Sequence, residues 1–144
     1  MTWTPPSGYD ELSGCVWLPR LLAKARRHVA AAELGDYMFG DHDYLDAWLL
    51  RFLRTDEATV CAAVRSDGDD RAVARRLVEK SGRAPDELAR FRRHFTFWNA
   101  PWLVMIDADE GRTRGPAARL LNFVYNRVVV PPAIAVYRRA TARR

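Results

Sequence analysis

Trp17-Leu-Pro-Arg-Leu-Leu-Ala-Lys-Ala-Arg-Arg-His-Val-Ala-Ala-Ala32 is the stretch whose reading decides the fold class. Leu18, Leu21, Leu22, Ala25, Val29 and Ala32 recur every three to four residues, so they share one face of a helix with 3.6 residues per turn. The helix is expected to begin near Trp17 to Pro19, because proline is tolerated in a first turn. Gly35 follows as its expected C-terminal stop. Arg20, Lys24 and Arg27 stand at i, i+4 and i+7 and project together on another face. Like charges so placed repel by a few tenths of a kcal/mol per pair. The acids that follow, Asp36, Asp41, Asp43 and Asp46, are the natural partners to offset that repulsion.

The same periodicity continues downstream. Asp43 is a plausible N-cap for a second helix whose apolar face is Leu45, Trp48, Leu49, Phe52 and Leu53. Thr55 is expected to cap a third helix running through Val60 and Val64 to Ser66. Asp67-Gly68-Asp69 reads as a turn, and Asp69 or Asp70 caps a fourth helix that Gly82 ends. Pro85-Asp86-Glu87 places proline and two acids at a helix start, and Leu88, Phe91, Phe95 and Trp98 continue its stripe until Pro101 closes it. Trp102 to Ile106 is a continuous apolar run, consistent with a buried strand or a turn of buried helix. A loop is expected at residues 107–111. Leu120, Leu121, Phe123 and Val124 form one more helical pattern, and Pro131-Pro132 separates it from Ala133 to Tyr137. Residues 1–14, with Pro5, Pro6, Gly8 and Gly14, read as an extended lead-in. The expected architecture is all-α: a compact bundle of about six short helices with a C-terminal arm. Residues 1–110 form the helical core, and 111–144 a basic helical extension packed on the core or on a partner subunit.

Composition agrees with a folded domain. The 144 residues are 49% hydrophobic and 28% charged, enough to bury a core and stay soluble. No stretch is apolar enough to span a bilayer, and the opening residues lack the basic and apolar regions of a secretion signal. Cys15 and Cys61 match no zinc or redox spacing. Two thiols without a leader point to the cytoplasm. The net charge of +5 is uneven: residues 1–110 carry 15 basic and 18 acidic residues, whereas 111–144 carry eight arginines and no acid. That tail is a solvated end, a docking segment that would make a homodimer, or a contact for an anionic partner, nucleic acid among them.

The residues that carry candidate chemistry cluster after the first helix. Arg20 and Arg27 would hold a carboxylate or phosphate, with Lys24 as a point charge. Tyr37 would serve as a hydroxyl donor or weak acid beside Lys24. His42 lies between Asp41 and Asp43, where a carboxylate orients one ring nitrogen while the other moves a proton. The bland alternatives are a salt-linked surface for the basic face and simple capping for Asp-His-Asp. His28 and His94 read as packed histidines. Trp98, Asn99 and Trp102, with Phe95 and Phe97 nearby, are either core and helix closure or the wall of an apolar pocket with Asn99 as its polar handle. Asp107, Asp109 and Glu110 lack the rest of a calcium loop, so no metal site is expected. No phosphate-cradling glycine loop, nucleophile elbow or dinucleotide fingerprint is present, so no cofactor is expected.

Leu12-Ser-Gly-Cys-Val-Trp-Leu-Pro-Arg-Leu-Leu-Ala-Lys-Ala-Arg26, then Leu34-Gly-Asp-Tyr37 and Leu45-Asp46, resembles a bacterial family known as domain of unknown function 5069. The resemblance runs from about Tyr9 to Trp98. Arg20, Lys24, Arg26, Gly35, Tyr37 and Asp46 stand on the family's motif positions. Ala23 departs from it, standing where the family usually has Asp. The tail after Glu110 looks like an addition to the family core. The resemblance supports the fold and implies no mechanism.

Three functional readings follow, and whether the chain is an enzyme is open among them. One is a small cofactor-free enzyme acting by acid–base catalysis on an anionic, carboxylated or phenolic metabolite. In it Arg20 and Lys24 hold the anion, and Tyr37, His42 or Asp43 moves protons. The second is a non-catalytic helical module binding a small molecule or a protein. The third is a nucleic-acid-associated protein using the arginine tail. On the first reading, Lys24→Ala is expected to depress turnover with little change in melting.

Overall fold

Residues 11–16 form a hairpin where the sequence reads as plain lead-in. Strand β1 (Glu11–Leu12) pairs antiparallel with β2 (Cys15–Val16), with Glu11 opposite Val16 and Leu12 opposite Cys15. The two linking residues, Ser13 and Gly14, both take the left-handed conformation at φ 52° and 74°. That pair of positive φ values makes a two-residue turn whose twist matches the strands it joins. The computed structural model describes residues 3–112 and, beyond them, Pro116, Leu120, Phe123, Val124, Arg127 and Val128. The helical pattern expected at 120–124 is thus described only in part, and the arm at 129–144 lies outside the described residues.

Six α-helices follow among the described residues: α1 (Leu18–Val29), α2 (Tyr44–Phe52), α3 (Glu57–Ser66), α4 (Asp70–Ser81), α5 (Pro85–Trp98) and α6 (Ala100–Asp109). A 3₁₀ turn, Gly40–His42, leads into α2. The protein is predominantly all-α, with the hairpin as its two-stranded sheet. Contacts group the chain into two units, one ending at Phe97 and a second beginning at Trp98.

In the first unit α1 makes its broadest contact with α3. Leu18, Leu21, Leu22 and Ala25 of α1 are fully buried, and Val60, Cys61 and Val64 of α3 are buried as well. Each such leucine or valine side chain contributes about 1.5–3 kcal/mol by leaving water. A second layer is aromatic. Phe95 of α5 lies 5.7 Å from the ring of Trp17 and 5.5 Å from that of Trp48, and Phe91 stacks on Phe52 at 4.0 Å.

Several helix ends depart from the sequence reading. α1 stops at Val29, six residues before Gly35. Ala31 takes φ 51°, its N–H donates to the His28 carbonyl, and the Ala32 N–H donates to the Arg27 carbonyl. This is a left-handed helix stop built without glycine. α2 ends the same way, with Arg54 at φ 52° and the Thr55 N–H on the Leu50 carbonyl. Asp56, rather than Thr55, caps α3: its carboxylate accepts from the Thr59 N–H at 2.7 Å. Asp69 caps α4 and Gly82 ends it at φ 66°. In α5, Glu87 reaches back to the Ala84 N–H at 2.9 Å. α5 stops at Trp98, before Pro101, which instead occupies the first turn of α6. α6 takes in the apolar run and continues to Asp109 where a loop was expected.

Two arginines tie the layers together through carbonyls that helix ends leave without partners. Arg26, on a motif position, donates to the Val64 carbonyl in the last turn of α3, to the Asp67 carbonyl just after it and to the Asp70 carboxylate of α4. Arg83 donates to the Phe52 carbonyl at the end of α2 and to Glu87. In the second unit Leu103, Asn99 and Asp107 are buried, and Arg112 pairs with Asp107 and Glu110.

Candidate functional site

The cationic face of α1 is not a solvated surface. Arg20 and Lys24 are 2% and 1% exposed. A buried ammonium is costly unless it is paired and hydrogen-bonded, and the residues just before and within α2 supply the partners. Lys24 Nζ lies 2.7 Å from Asp43 Oδ2 and 2.6 Å from Asp46 Oδ2. Asp43 holds both roles at once: its other oxygen, Oδ1, accepts the Leu45 N–H at 2.9 Å as the α2 cap. Capping fixes the carboxylate at the helix start, and Lys24 meets it there.

Asp46 is fully buried and accepts from three directions. The Trp17 indole N–H donates to Oδ1 at 2.7 Å, the Gly40 N–H donates to Oδ2 at 3.0 Å, and Lys24 adds its ammonium. Burial pushes its pKa up to about 6, against the pull of Lys24 and the Trp17 hydrogen bond, with Asp43 adding a further push upward. Gly40 has a backbone reason to be glycine. It sits at φ 70°, and a Cβ there would collide with the Glu57 carboxylate.

A second set of contacts extends from this cluster along α1. The Arg20 guanidinium lies 5.1 Å from the Trp17 ring and 5.2 Å from the Tyr37 ring. Its Nη1 donates to the Pro6 carbonyl at 2.8 Å. Tyr37, half-buried, meets Trp3 edge-on with ring centroids 5.6 Å apart, and the Arg27 guanidinium lies over the Trp3 ring at 4.6 Å. The contacts run from Trp17 through Arg20 to Tyr37, from Tyr37 ring-to-ring to Trp3, and from Trp3 to Arg27, each contact of cation–π or edge type worth about 0.5–2 kcal/mol.

The structure therefore brings together Arg20, Lys24, Arg27, Tyr37 and Asp43 from the residues singled out in the sequence. His42 is exposed on the 3₁₀ turn, and the Asp43 carboxylate turns to Lys24 and the α2 amides. Asp36 and Asp41, expected to offset the basic face, are exposed. His28 is half exposed, 5.1 Å from the Phe39 ring and 3.9 Å from Glu57, and His94 is exposed; neither is the packed histidine the spacing suggests. Trp98, Asn99 and Trp102 stand in the second unit, where Trp98 and Trp102 are exposed and Asn99 is buried. Trp17 and Gly40 were not legible as site residues. A tryptophan before a helix and a glycine before a polar turn have commoner explanations.

Both cysteines are free and buried. Burial, with Glu11 nearby, pushes the Cys15 thiol up to about 12, which keeps it protonated and unreactive. Among the described residues no group of three His, Cys, Asp or Glu is placed to hold a metal ion, and no helix is long and apolar enough to cross a membrane.

Comparison with known proteins adds one finding. No curated protein and no solved structure matches the chain. A family described as a domain of unknown function (DUF5069) matches residues 2–102, a span that contains α1, the polar turn, α2 and every member of the buried charge cluster. The chain belongs to the DUF5069 family.

Proposed function

We propose that the protein is a small cofactor-free enzyme that moves protons on a carboxylated or phenolic metabolite, with the Lys24–Asp43–Asp46 cluster as its acid–base centre. The observation that carries this reading is Asp46: a fully buried carboxylate 2.6 Å from an ammonium, its pKa pushed up to about 6 by burial. Groups so perturbed suit acid–base work near neutral pH and concentrate at functional sites. Asp43, 19% exposed at its side chain, is the member of the cluster that reaches solvent. Asp43 exchanges the substrate proton, Lys24 couples the two carboxylates, and Tyr37 donates its hydroxyl. Arg20 and Arg27 hold the anionic substrate, Arg27 being the half-exposed one of the two. Ala23 stands where the family pattern usually has an acid, so on this reading the acid–base work rests on Asp43 and Asp46. The two free thiols fit a cytoplasmic setting.

The test is turnover of a panel of carboxylated and phenolic metabolites, read by mass spectrometry, with the wild type, Asp43→Asn and Tyr37→Phe. A substrate of this centre loses about 10²-fold or more in turnover with Asp43→Asn, the scale of a general acid or base. Turnover equal in all three proteins removes Asp43 and Tyr37 from the mechanism. A binding module is the second reading, favoured by one observation: the ammonium of Lys24 is already engaged by two carboxylates of its own chain. It would show as saturable binding of a panel member without turnover.

A further inference from the structure

The opening segment does something besides precede the hairpin. Trp3 sets its ring edge-on against Tyr37 at 5.6 Å and within 4.6 Å of the Arg27 guanidinium. Three residues on, the Pro6 carbonyl accepts from Arg20 Nη1 at 2.8 Å. One segment thus presents an aromatic ring to Tyr37 and Arg27, and an oxygen acceptor to Arg20. Arg20 is nonetheless buried to 2%, so an outside anion reaches it only when something of the chain's own moves aside. Trp3 is half-buried and stands beside an exposed Thr4.

We propose that residues 3–6 are an internal pseudo-ligand, covering a site whose true occupant is an aromatic carboxylate. The ligand's ring takes the place of Trp3 between Tyr37 and Arg27. Its carboxylate takes the place of the Pro6 oxygen on Arg20, replacing a neutral acceptor by a charged one; charge-assisted hydrogen bonds of this kind are roughly twice as strong as neutral ones. The segment then acts as a strap that sets affinity: ligand binds only the fraction of molecules in which it has lifted. This rests on the anionic-metabolite reading above and narrows it to ligands with both a ring and a carboxylate.

The experiment is isothermal titration calorimetry on the full chain with benzoate, and with acetate and phenol as its two halves. A covered site open in about 10% of molecules or fewer makes removal of the cover worth at least about tenfold in affinity. Trp3→Ala is expected to bind benzoate at least about tenfold more tightly than the wild type, and Trp3→Phe, which keeps a ring, to stay near it. In the Trp3→Ala protein, benzoate should exceed both acetate and phenol, and adding Arg27→Gln should reverse most of the gain. Trp3→Ala binding no more tightly than the wild type overturns the proposal, as does acetate binding as well as benzoate. Calorimetry needs no turnover. Tighter binding by a protein that transforms no panel member would leave the strap standing and discard the acid–base reading.

Discussion

Removing the ammonium of Lys24 leaves two carboxylates facing each other, Asp46 fully buried and Asp43 mostly so. Breaking a buried ion pair from one side costs about 3–5 kcal/mol, because the remaining charge is uncompensated. Lys24→Met should lower unfolding free energy by that amount in urea titrations at pH 7, and by less at pH 5, where Asp46 takes up a proton. A loss under about 1 kcal/mol at pH 7 would show that the pair is not desolvated as its geometry implies. This differs from the expectation of nearly unchanged melting at Lys24, which left out the cost of uncovering two buried carboxylates. Asp46 gives a second prediction. Its folded pKa of about 6 lies above its ordinary value of 3.8, so the native state holds this proton more firmly than the unfolded chain does. The group's contribution to stability thus falls as pH rises from about 4 to 6 and is level above that. Asp56 and Glu87 act oppositely. Hydrogen bonds from Thr59 and Ala84 respectively hold them below the ordinary carboxylate range, so their stabilisation is lost as pH falls. Comparing the wild type with Asp46→Asn across pH 4–7 isolates the first trend, and parallel curves would contradict it.

At the scale of elements, the helix ends carry the sharpest tests. Ala31 and Arg54 hold left-handed backbone without being glycine, a conformation that costs an L-residue roughly 1–2 kcal/mol. Ala31→Gly should stabilise by about 0.5–1 kcal/mol, the conformational relief exceeding glycine's extra entropy in the unfolded chain. Gly82→Ala, at φ 66° with open space around it, should destabilise by about 1 kcal/mol for backbone reasons alone. Asp56→Ala removes the α3 cap and should cost about 1 kcal/mol. Thr55→Val should cost nothing or stabilise slightly, because the buried Thr55 hydroxyl has no hydrogen-bond partner. Chemical denaturation of the four variants checks the set, and a larger loss at Thr55 than at Asp56 would reverse the assignment of the cap. These positions also show why helix ends read poorly from sequence. Asp and Thr both cap well, so adjacent Thr55-Asp56 leaves two equally good choices. Glycine is the usual left-handed stop, so a stop at Ala31 carries no local signal, and Gly35 attracts the assignment instead.

For the first unit as a whole, Phe95 is the residue on which the packing converges. It is fully buried and in ring contact with Trp17, Trp48 and Phe91. Phe95→Ala should cost about 3–5 kcal/mol by transfer and cavity terms together. It should also disturb the charge cluster, because the Trp17 ring it supports carries the indole N–H that holds Asp46. A chemical-shift change at the Asp46 carboxyl in that variant is the measurement, and an unshifted signal would mean that core and cluster are independent.

The amino-acid sequence by itself determined the helical class, five of the six described helices as helices, and Asp43 and Gly82 as groups that begin or end them, while leaving the α4 cap open between Asp69 and Asp70. Periodicity and capping are local properties, encoded within a few residues, and they survive without knowledge of what packs where. The apolar run in α6 was undecided, since an all-round hydrophobic stretch has no period to read. Burial was decided only by the tertiary structure. Arg20, Lys24 and Arg27 share one helix face by spacing, yet α2 and the opening segment cover the first two and leave the third half-exposed. A charge shows the same letter whether water or two carboxylates surround it. Only the meeting of segments 20 and more residues apart makes Lys24 and Asp46 a buried pair rather than two solvated charges.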